Sequence, residues 1–186
     1  MGGGDKCLRT IGGVTILARI IDRVQDQVSR LAINANGDPQ RFAEFSLPVV
    51  ADVVPDFAGP LAGVLSGMEW AAEYEPDCRW IASIPTDAPF LPTDLIAKLS
   101  EVLVRENAEL ACAASGGQVH PVVGLWPVEM RAQLRQALVV EDIRKIDVFT
   151  ANYRLAEVTF DVDPVDPFFN TNRPEDLQEA ERLIKA

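Results

Sequence analysis

Apolar residues recur at helical spacing in some stretches of the chain and form short continuous runs in others. The first helical stretch has its apolar residues on one face and charged residues on the other: Val14, Leu17, Ile20, Ile21, Val24 and Val28. Further helices are predicted over 61–74, from about 95 to 103, over 127–138 and after Pro174. Short apolar runs predict strands over 31–33, 49–51, 80–84, 110–113, 119–126 and 155–160. This alternation predicts an α/β fold with a mostly parallel sheet and helices on both faces.

Asp87 follows the apolar run 80–84 and lies between Pro85 and Pro89. We expect a buried parallel strand that ends in a functional loop, because ligands of open α/β sheets bind at the carboxyl edge of the strands. A hard carboxylate at that edge suits Mg²⁺ that carries substrate phosphates, since Mg²⁺ takes few protein ligands. The alternative is a turn aspartate that caps the helix at Thr93 or is simply solvated.

Polar and glycine residues follow other predicted elements in the same way. The amides of the segment 34–37 can hydrogen-bond a nucleobase edge or a ribose, and can equally form a turn. Asp52 ends the next strand. Gly59 before Pro60 exposes helix N–H groups to which an anion can dock. Glycine and proline are also common where an ordinary loop leads into a helix, so this pair can equally mark only the helix start. Gly2-Gly3-Gly4 before Lys6 can surround phosphates, or is a disordered start.

Composition limits the alternatives. The 186 residues, 48% of them hydrophobic, fit one domain spanning 1–186. A formal net charge of -11 argues against nucleic-acid or acidic-membrane partners but permits a phosphorylated small molecule. Three widely spaced cysteines, Cys7, Cys78 and Cys112, suggest neither a disulfide framework nor a zinc site and fit a reducing cytoplasm. The sequence shows no membrane-length apolar run and no signal peptide, so a cytoplasmic protein is predicted. His120 is the only histidine, and no partner for acid–base chemistry is visible near it.

The order of these motifs is more specific than any one of them. It resembles the molybdenum cofactor guanylyltransferase family over nearly the whole chain, and the resemblance implies a Rossmann-like three-layer nucleotidyltransferase fold. The motifs that carry it are Gly-Gly-x-Asp-Lys, Asn-Ala-Asn, Asp52 after a strand, Gly-Pro-Leu-Ala-Gly, Thr-Asp-Ala-Pro, His-Pro before an apolar strand, and Asn-Thr-Asn-x-Pro-Glu-Asp.

The resemblance implies transfer of GMP from GTP to the terminal phosphate of molybdopterin, with release of pyrophosphate. Lys6 and Asp87 would be catalytic, and Asp87 would hold Mg²⁺. The nucleotide would be bound by Gly3, Lys6, Asn34, Asp52 and Asp87. The molybdopterin side of the cleft would be formed by Gly59, Gly63, Asn170 and Asn172. Molybdoenzymes or their chaperones would receive the product.

The departure from the family pattern is at the start of the chain. Family members open with a strand and a Leu-Ala-Gly-Gly loop, whereas this sequence begins with Met1 where that loop is ending. We therefore expect a nucleotidyltransferase domain that is incomplete at its N-terminus and lacks a strand near the centre of the sheet. Two alternatives stay open: a transferase that uses CTP or another nucleotide, and a non-catalytic truncated paralogue that binds molybdopterin.

Overall fold

The computed structural model describes residues 5–54 and 59–185. The helices are α1 Ile16–Val24, α2 Pro60–Tyr74, α3 Leu95–Arg105, α4 Arg131–Val139, α5 Ile146–Thr150 and α6 Pro174–Lys185. The strands are β1 Thr10–Ile11, β2 Val14–Thr15, β3 Ile33–Asn34, β4 Val49–Val50, β5 Trp80–Ser83, β6 Leu110–Ser115, β7 Gln118–Pro127 and β8 Leu155–Phe160. Short 3-10 turns lie at Lys6–Leu8, Gln25–Gln27, Pro39–Phe45 and Val128–Met130. Most predicted elements are confirmed, and their ends shift by a few residues.

The first helix is shorter than predicted. Gly12 and Gly13 both have positive φ and form the turn of a hairpin between β1 and β2, so Val14 belongs to a strand. Helix α1 begins only after Thr15, whose side chain accepts a hydrogen bond from the amide of Ala18 at 3.2 Å.

The main sheet is mixed, so the predicted parallel character is confirmed only in part. Its strand order is β5-β7-β6-β8. Strand β7 runs antiparallel to both of its neighbours, and only β6 and β8 pair in parallel. The cause is the two-residue turn Gly116-Gly117, with φ of 54° and 81°, because a turn this short can join only antiparallel strands.

Helices cover both faces of this sheet, as predicted. One core packs α1, α3 and the residues Leu177 and Ala180 of α6 against one face of the sheet. A second core packs α2 and α4 against the other face. Neighbouring residues of β7 alternate between the two cores: Leu125 belongs to the first and Trp126 to the second. Among the described helices, none is both long enough and apolar enough to cross a membrane.

Strand β5 is less buried than predicted and is antiparallel to its one neighbour. Trp80 is 38% exposed, and the other residues of β5 are half-buried. Of the described strands, only β7 pairs with β5, and only β4 pairs with β3. A cavity of about 630 Å³, lined by residues of β3, β5, α1 and α2, separates the two sheets and explains the exposure of β5.

Strands β3 and β5 run in the same direction on either side of this cavity. The chain before β3 is tied to the end of α2 by an ion pair of Arg30 with Glu75 at 2.8 Å, and Asn34 at the end of β3 lies beside Gly63 near the start of α2. Strand β5 also starts at the end of α2, where the Cys78 amide donates to the Glu75 carbonyl at 2.8 Å. The carboxyl ends of both strands therefore point to the same side of the molecule.

Candidate active site

Asp87 lies on the loop after β5, at the carboxyl edge of the sheet, as the sequence predicts. Its carbonyl accepts two hydrogen bonds from Thr171, one from the amide and one from Oγ1, both at 2.9 Å. Thr171 is completely buried and so fixes the backbone of this loop. Within the described part of the chain, no group donates a hydrogen bond to the Asp87 carboxylate, which is half-buried. Its oxygens are therefore free to bind an external ligand.

Lys6 and Asn172 meet beside this loop. Lys6 begins the 3-10 turn Lys6–Leu8, and its ammonium lies 3.4 Å from Oδ1 of Asn172, directly after Thr171. Both side chains are exposed, as is Asn170. The structure thus brings together Lys6, Asp87 and the segment of the two asparagines. From the sequence, Lys6 and Asp87 were assigned to the nucleotide and the asparagines to molybdopterin. Gly3 lies outside the described residues.

A second cluster forms where β3 and β4 end. Asp52 Oδ1 accepts from Asn34 Nδ2 at 3.0 Å, and Asp52 Oδ2 accepts from Asn36 Nδ2 at 2.8 Å. The Asn36 side chain returns a bond by accepting from the Asp52 amide at 2.8 Å. Because Asn34 Nδ2 also donates to the carbonyl of Val50, both of its amide hydrogens are used. What this cluster offers a ligand is mainly acceptor oxygen: Asn34 Oδ1 and the remaining lone pairs of Asp52.

Of the two glycines predicted on the molybdopterin side, Gly63 of α2 lies beside this second cluster, and Gly59 comes just before the helix. A Cβ at Gly63 would lie 2.5 Å from Oδ1 of Asn34, so only glycine leaves that amide in place. Gly59 has a φ of 156° and precedes the first turn of α2. Gly63 therefore contacts the residue predicted to bind the nucleoside and lies apart from Asn170 and Asn172. Its predicted place on the molybdopterin side stays a prediction.

Arg41 connects the two groups and was missed by the sequence analysis. Its guanidinium forms an ion pair with Asp5, next to Lys6, and donates to the carbonyls of Asn36 and Asp38. The 3-10 turn that carries it has no motif that would indicate this role. Thr171 was also missed, although it stands inside the Asn-Thr-Asn motif.

His120 has the partners that the sequence did not reveal. Ser115 Oγ lies 2.8 Å from His120 Nε2 and 2.8 Å from Asp166 Oδ1. Burial lowers the pKa of His120, and the negative charge of Asp166 acts in the opposite direction.

The buried thiol of Cys112 is not suited to act as a nucleophile, and the described residues hold no ready-made metal cluster. Burial, with a smaller effect of Glu157, raises the pKa of the Cys112 thiol to about 12, so this thiol stays protonated. The described residues contain no group of three or more histidines, cysteines and carboxylates that could hold a metal ion by themselves. A metal at Asp87 would need most of its ligands from substrate and water, which is the usual situation for Mg²⁺.

Comparison with known proteins identifies the family of this chain. Residues 1–154 match the family described as the MobA-like NTP transferase domain. The chain belongs to this family. The molybdenum cofactor guanylyltransferase of Rhodopseudomonas palustris strain HaA2 is 56% identical over 183 residues, which cover 98% of this chain and 86% of that protein.

Solved structures show the same fold at low identity. The molybdopterin-guanine dinucleotide biosynthesis protein A of Archaeoglobus fulgidus aligns with a TM-score of 0.69 at 17% identity, covering 98% of this chain and 92% of its own. A Mycobacterium tuberculosis protein crystallised as a complex with manganese aligns with a TM-score of 0.70 at 16% identity, covering 97% of this chain and 94% of its own. The MobA-like chain thus has the nucleotidyltransferase fold that its motif order implies.

Proposed function

We propose that this chain transfers GMP from GTP to the terminal phosphate of molybdopterin, giving molybdopterin guanine dinucleotide and pyrophosphate. The identity of 56% with a molybdenum cofactor guanylyltransferase over 98% of the chain supports the reaction. The observation that carries the assignment of the site is the carboxylate of Asp87, which accepts no hydrogen bond from the described residues and lies on a loop whose backbone is held by Thr171.

The reaction needs no nucleophile from the protein. An oxygen of the acceptor phosphate forms a bond to the α-phosphorus of GTP, and the bond from that phosphorus to the bridging oxygen breaks as pyrophosphate leaves. The attacking oxygen is already anionic, so the protein has to position the phosphates and balance their charge. In this proposal Lys6 contacts the triphosphate, and Asn170 and Asn172 lie towards the pterin.

Asp87 is the group that would hold a divalent cation. Its single carboxylate fits Mg²⁺, whose remaining ligands would be phosphate oxygens and water, and the manganese complex of a distant structural relative is consistent with a divalent ion. When bound, the metal neutralises charge on the phosphates. The chain's own contribution is to hold the backbone that carries this carboxylate, through the two hydrogen bonds from Thr171 to the Asp87 carbonyl.

The cluster of Asn34, Asn36 and Asp52 supports guanine as the base. Its free atoms are mainly acceptors, whereas the edge of guanine presents neighbouring N–H donors. CTP is the second candidate nucleotide, because cytosine also carries an amino group. Base selection depends on a few such hydrogen bonds.

A nucleotide panel tests the proposal. Pyrophosphate release is measured with GTP, CTP, ATP and UTP, each with Mg²⁺ and molybdopterin and each with EDTA as a control. We expect release with GTP, dependent on both the metal and the acceptor. Release with CTP alone would contradict the choice of nucleotide, and pterin binding without any release would indicate a non-catalytic binding protein. Cytoplasmic location and delivery to a molybdoenzyme or its chaperone stay predictions.

Room for one further strand beside β3 and β5 is also part of the proposal. Residues of β3 and β5 line the same cavity, and among the described strands each of the two pairs with one neighbour only. Both strands start near the end of α2. We propose that one further parallel strand belongs between them. Its carboxyl end would reach the side on which Asp5 and Lys6 lie.

A further inference from the structure

The buried hydroxyl of Ser115 links His120 and Asp166 away from the residues assigned to substrates. Ser115 is 1% exposed, and its Oγ lies 2.8 Å from both the Nε2 of His120 and the Oδ1 of Asp166. An ionised carboxylate only accepts, so the one hydroxyl proton goes to Asp166, and His120 has to donate its Nε2 proton to Ser115. The network assigns each proton, and the three groups are satisfied together.

This network holds one end of the segment 166–172, which we call the 166–172 turn. Asp166 Oδ1 also accepts from the amide of Phe168 at 3.0 Å, and the Asp166 carbonyl accepts from the amide of Phe169 at 3.1 Å. At the other end Thr171 holds the carbonyl of Asp87. The turn therefore runs from the buried serine to the loop of the candidate metal ligand.

Aromatic contacts fix the middle of the 166–172 turn. Phe168 is buried, with its ring centroid 4.8 Å from that of His120 and 5.4 Å from that of Phe160. Phe169 packs against Phe90, three residues after Asp87, at 6.2 Å. His120 thus contacts the turn twice, through the hydrogen-bond chain and through its ring.

We propose that Asp166, oriented by Ser115 and His120, is a positioning residue for nucleotidyl transfer. It sets the path of the 166–172 turn and with it the placement of Asn170 and Asn172 against the acceptor. This role rests on the proposed function. Asp166 is not assigned to substrate contact, so it acts through the turn that it holds.

The proposal predicts a split between the two substrates. Asn34, Asn36 and Asp52 lie at the ends of β3 and β4. Their side-chain hydrogen bonds join them to one another and to the backbone near Asp52, and within the described residues none of these side-chain bonds reaches the turn. Loosening the turn should therefore raise the KM for the acceptor while leaving the cluster of Asn34, Asn36 and Asp52, here called the nucleotide cluster, in place. Loss of overall stability would instead affect both substrates.

The test compares Ser115→Ala and His120→Leu with two controls. His120→Gln keeps a side-chain N–H that can donate to Ser115, and Thr150→Val removes a buried hydroxyl of α5, outside the site. We expect the KM for molybdopterin to rise about tenfold in Ser115→Ala and His120→Leu, the cost of one hydrogen bond to a charged group. The Kd for GTP should stay unchanged and Thr150→Val should behave as wild type. His120→Gln should raise the KM for molybdopterin less than His120→Leu, because it restores the hydrogen bond to Ser115 but not the ring contact with Phe168.

Amide exchange gives a readout that does not depend on activity. The amides of Phe168 and Thr171 should exchange faster in Ser115→Ala than in Thr150→Val. Suppose that the wild-type chain is active and that Ser115→Ala has the same KM for molybdopterin and the same amide exchange as wild type. This outcome would contradict the positioning role and leave the proposed function intact. A wild-type chain that releases no pyrophosphate would contradict the proposed function and, with it, the role in transfer.

Discussion

Asp87 owes its availability to the way its loop is held. The backbone is fixed through its carbonyl by Thr171, and the carboxylate is left without a described partner. We expect Asp87→Asn to lower pyrophosphate release about a hundredfold or more, because the neutral amide holds a cation poorly. The melting temperature should change little, since the side chain makes no described hydrogen bond. Near-normal turnover in the Mg²⁺-dependent assay would exclude Asp87 from the site.

Gly63 provides a test of the nucleotide cluster from outside it. In Gly63→Ala the new Cβ would meet Oδ1 of Asn34 at 2.5 Å and displace that amide from Asp52. We expect the Kd for GTP to rise about tenfold, measured by titration, from the loss of a hydrogen bond to a charged group. Gly67→Ala is the matched control one turn later on α2, because its Cβ meets only the flexible end of Ile81 at 3.2 Å. Equal affinities in the two variants would contradict the role of Asn34.

His120 should make the stability of the protein depend on pH. Burial lowers its pKa in the folded protein from the ordinary 6.5, although Asp166 opposes this effect. Between the lowered pKa and 6.5 the unfolded chain binds more protons than the folded one. Stability should therefore fall as the pH drops from 6.5 through the folded pKa. Denaturant unfolding at about pH 7.5 and about pH 5.5 should show a larger loss in wild type than in His120→Gln. Equal losses of unfolding free energy in the two proteins would show that His120 does not cause this pH dependence.

The hairpin of β6 and β7 decides the character of the main sheet. Gly124 on β7 lies where a Cβ would stand 2.7 Å from the carbonyl of Ala111, close to the irregularity in the ladder between Cys112 and Ala113. Gly117 in the turn has a φ of 81° but open space around it. We expect Gly117→Ala to cost about 1–2 kcal/mol of unfolding free energy, from backbone strain alone.

Gly124→Ala should cost more than Gly117→Ala, because the strand backbone itself has to move. Denaturant unfolding of both variants gives the order directly. If Gly117→Ala lowered the free energy of unfolding more than Gly124→Ala, this would contradict the close approach of β6 and β7 at Gly124.

At the scale of elements, the sequence predicts what depends on periodicity and misses what depends on turns. The helical spacing of residues 61–74 and the apolar run 155–160 correspond closely to α2 and β8. The parallel sheet was inferred from alternating elements, yet Gly116-Gly117 is itself a hairpin signal that makes β6 and β7 antiparallel. Gly12-Gly13 is the same signal, and it was interpreted as the start of a helix.

The site was predictable only as far as residues follow strands. Asp52 and Asp87 follow strands and Asn34 is the last residue of one, and the structure brings Asn34 and Asp52 into contact. The contact of Lys6 with Asn172 and the bonds of Arg41 join segments far apart in the chain. No local pattern encodes such contacts, because they depend on where the chain returns after the sheet has formed.

At the scale of the whole molecule, the cavity lined by β3 and β5 leaves room for a further strand. Its walls include Ile33 and Ile81 on the strand sides and Ile20 and Val64 on the helix sides, so an apolar strand would be covered on both faces. Two strand spacings of about 4.8 Å separate the outer strands of a three-stranded ladder. A strand inserted there would pair with the edges of β3 and β5 that have no partner among the described strands, and would satisfy their backbone groups.

A fusion tests this directly. We expect an N-terminal extension of alternating Val and Ile, joined through Gly2-Gly3-Gly4, to raise the melting temperature and shift the fluorescence of Trp80 to shorter wavelength, because Trp80 borders the cavity and is 38% exposed. The matched control carries proline at the centre of the extension, which removes a donor from the ladder. Nucleotide binding should strengthen only with the pairing extension, since the carboxyl end of the added strand would lie on the side of Lys6. Equal melting temperatures for the two extensions would show that the cavity does not accept a strand.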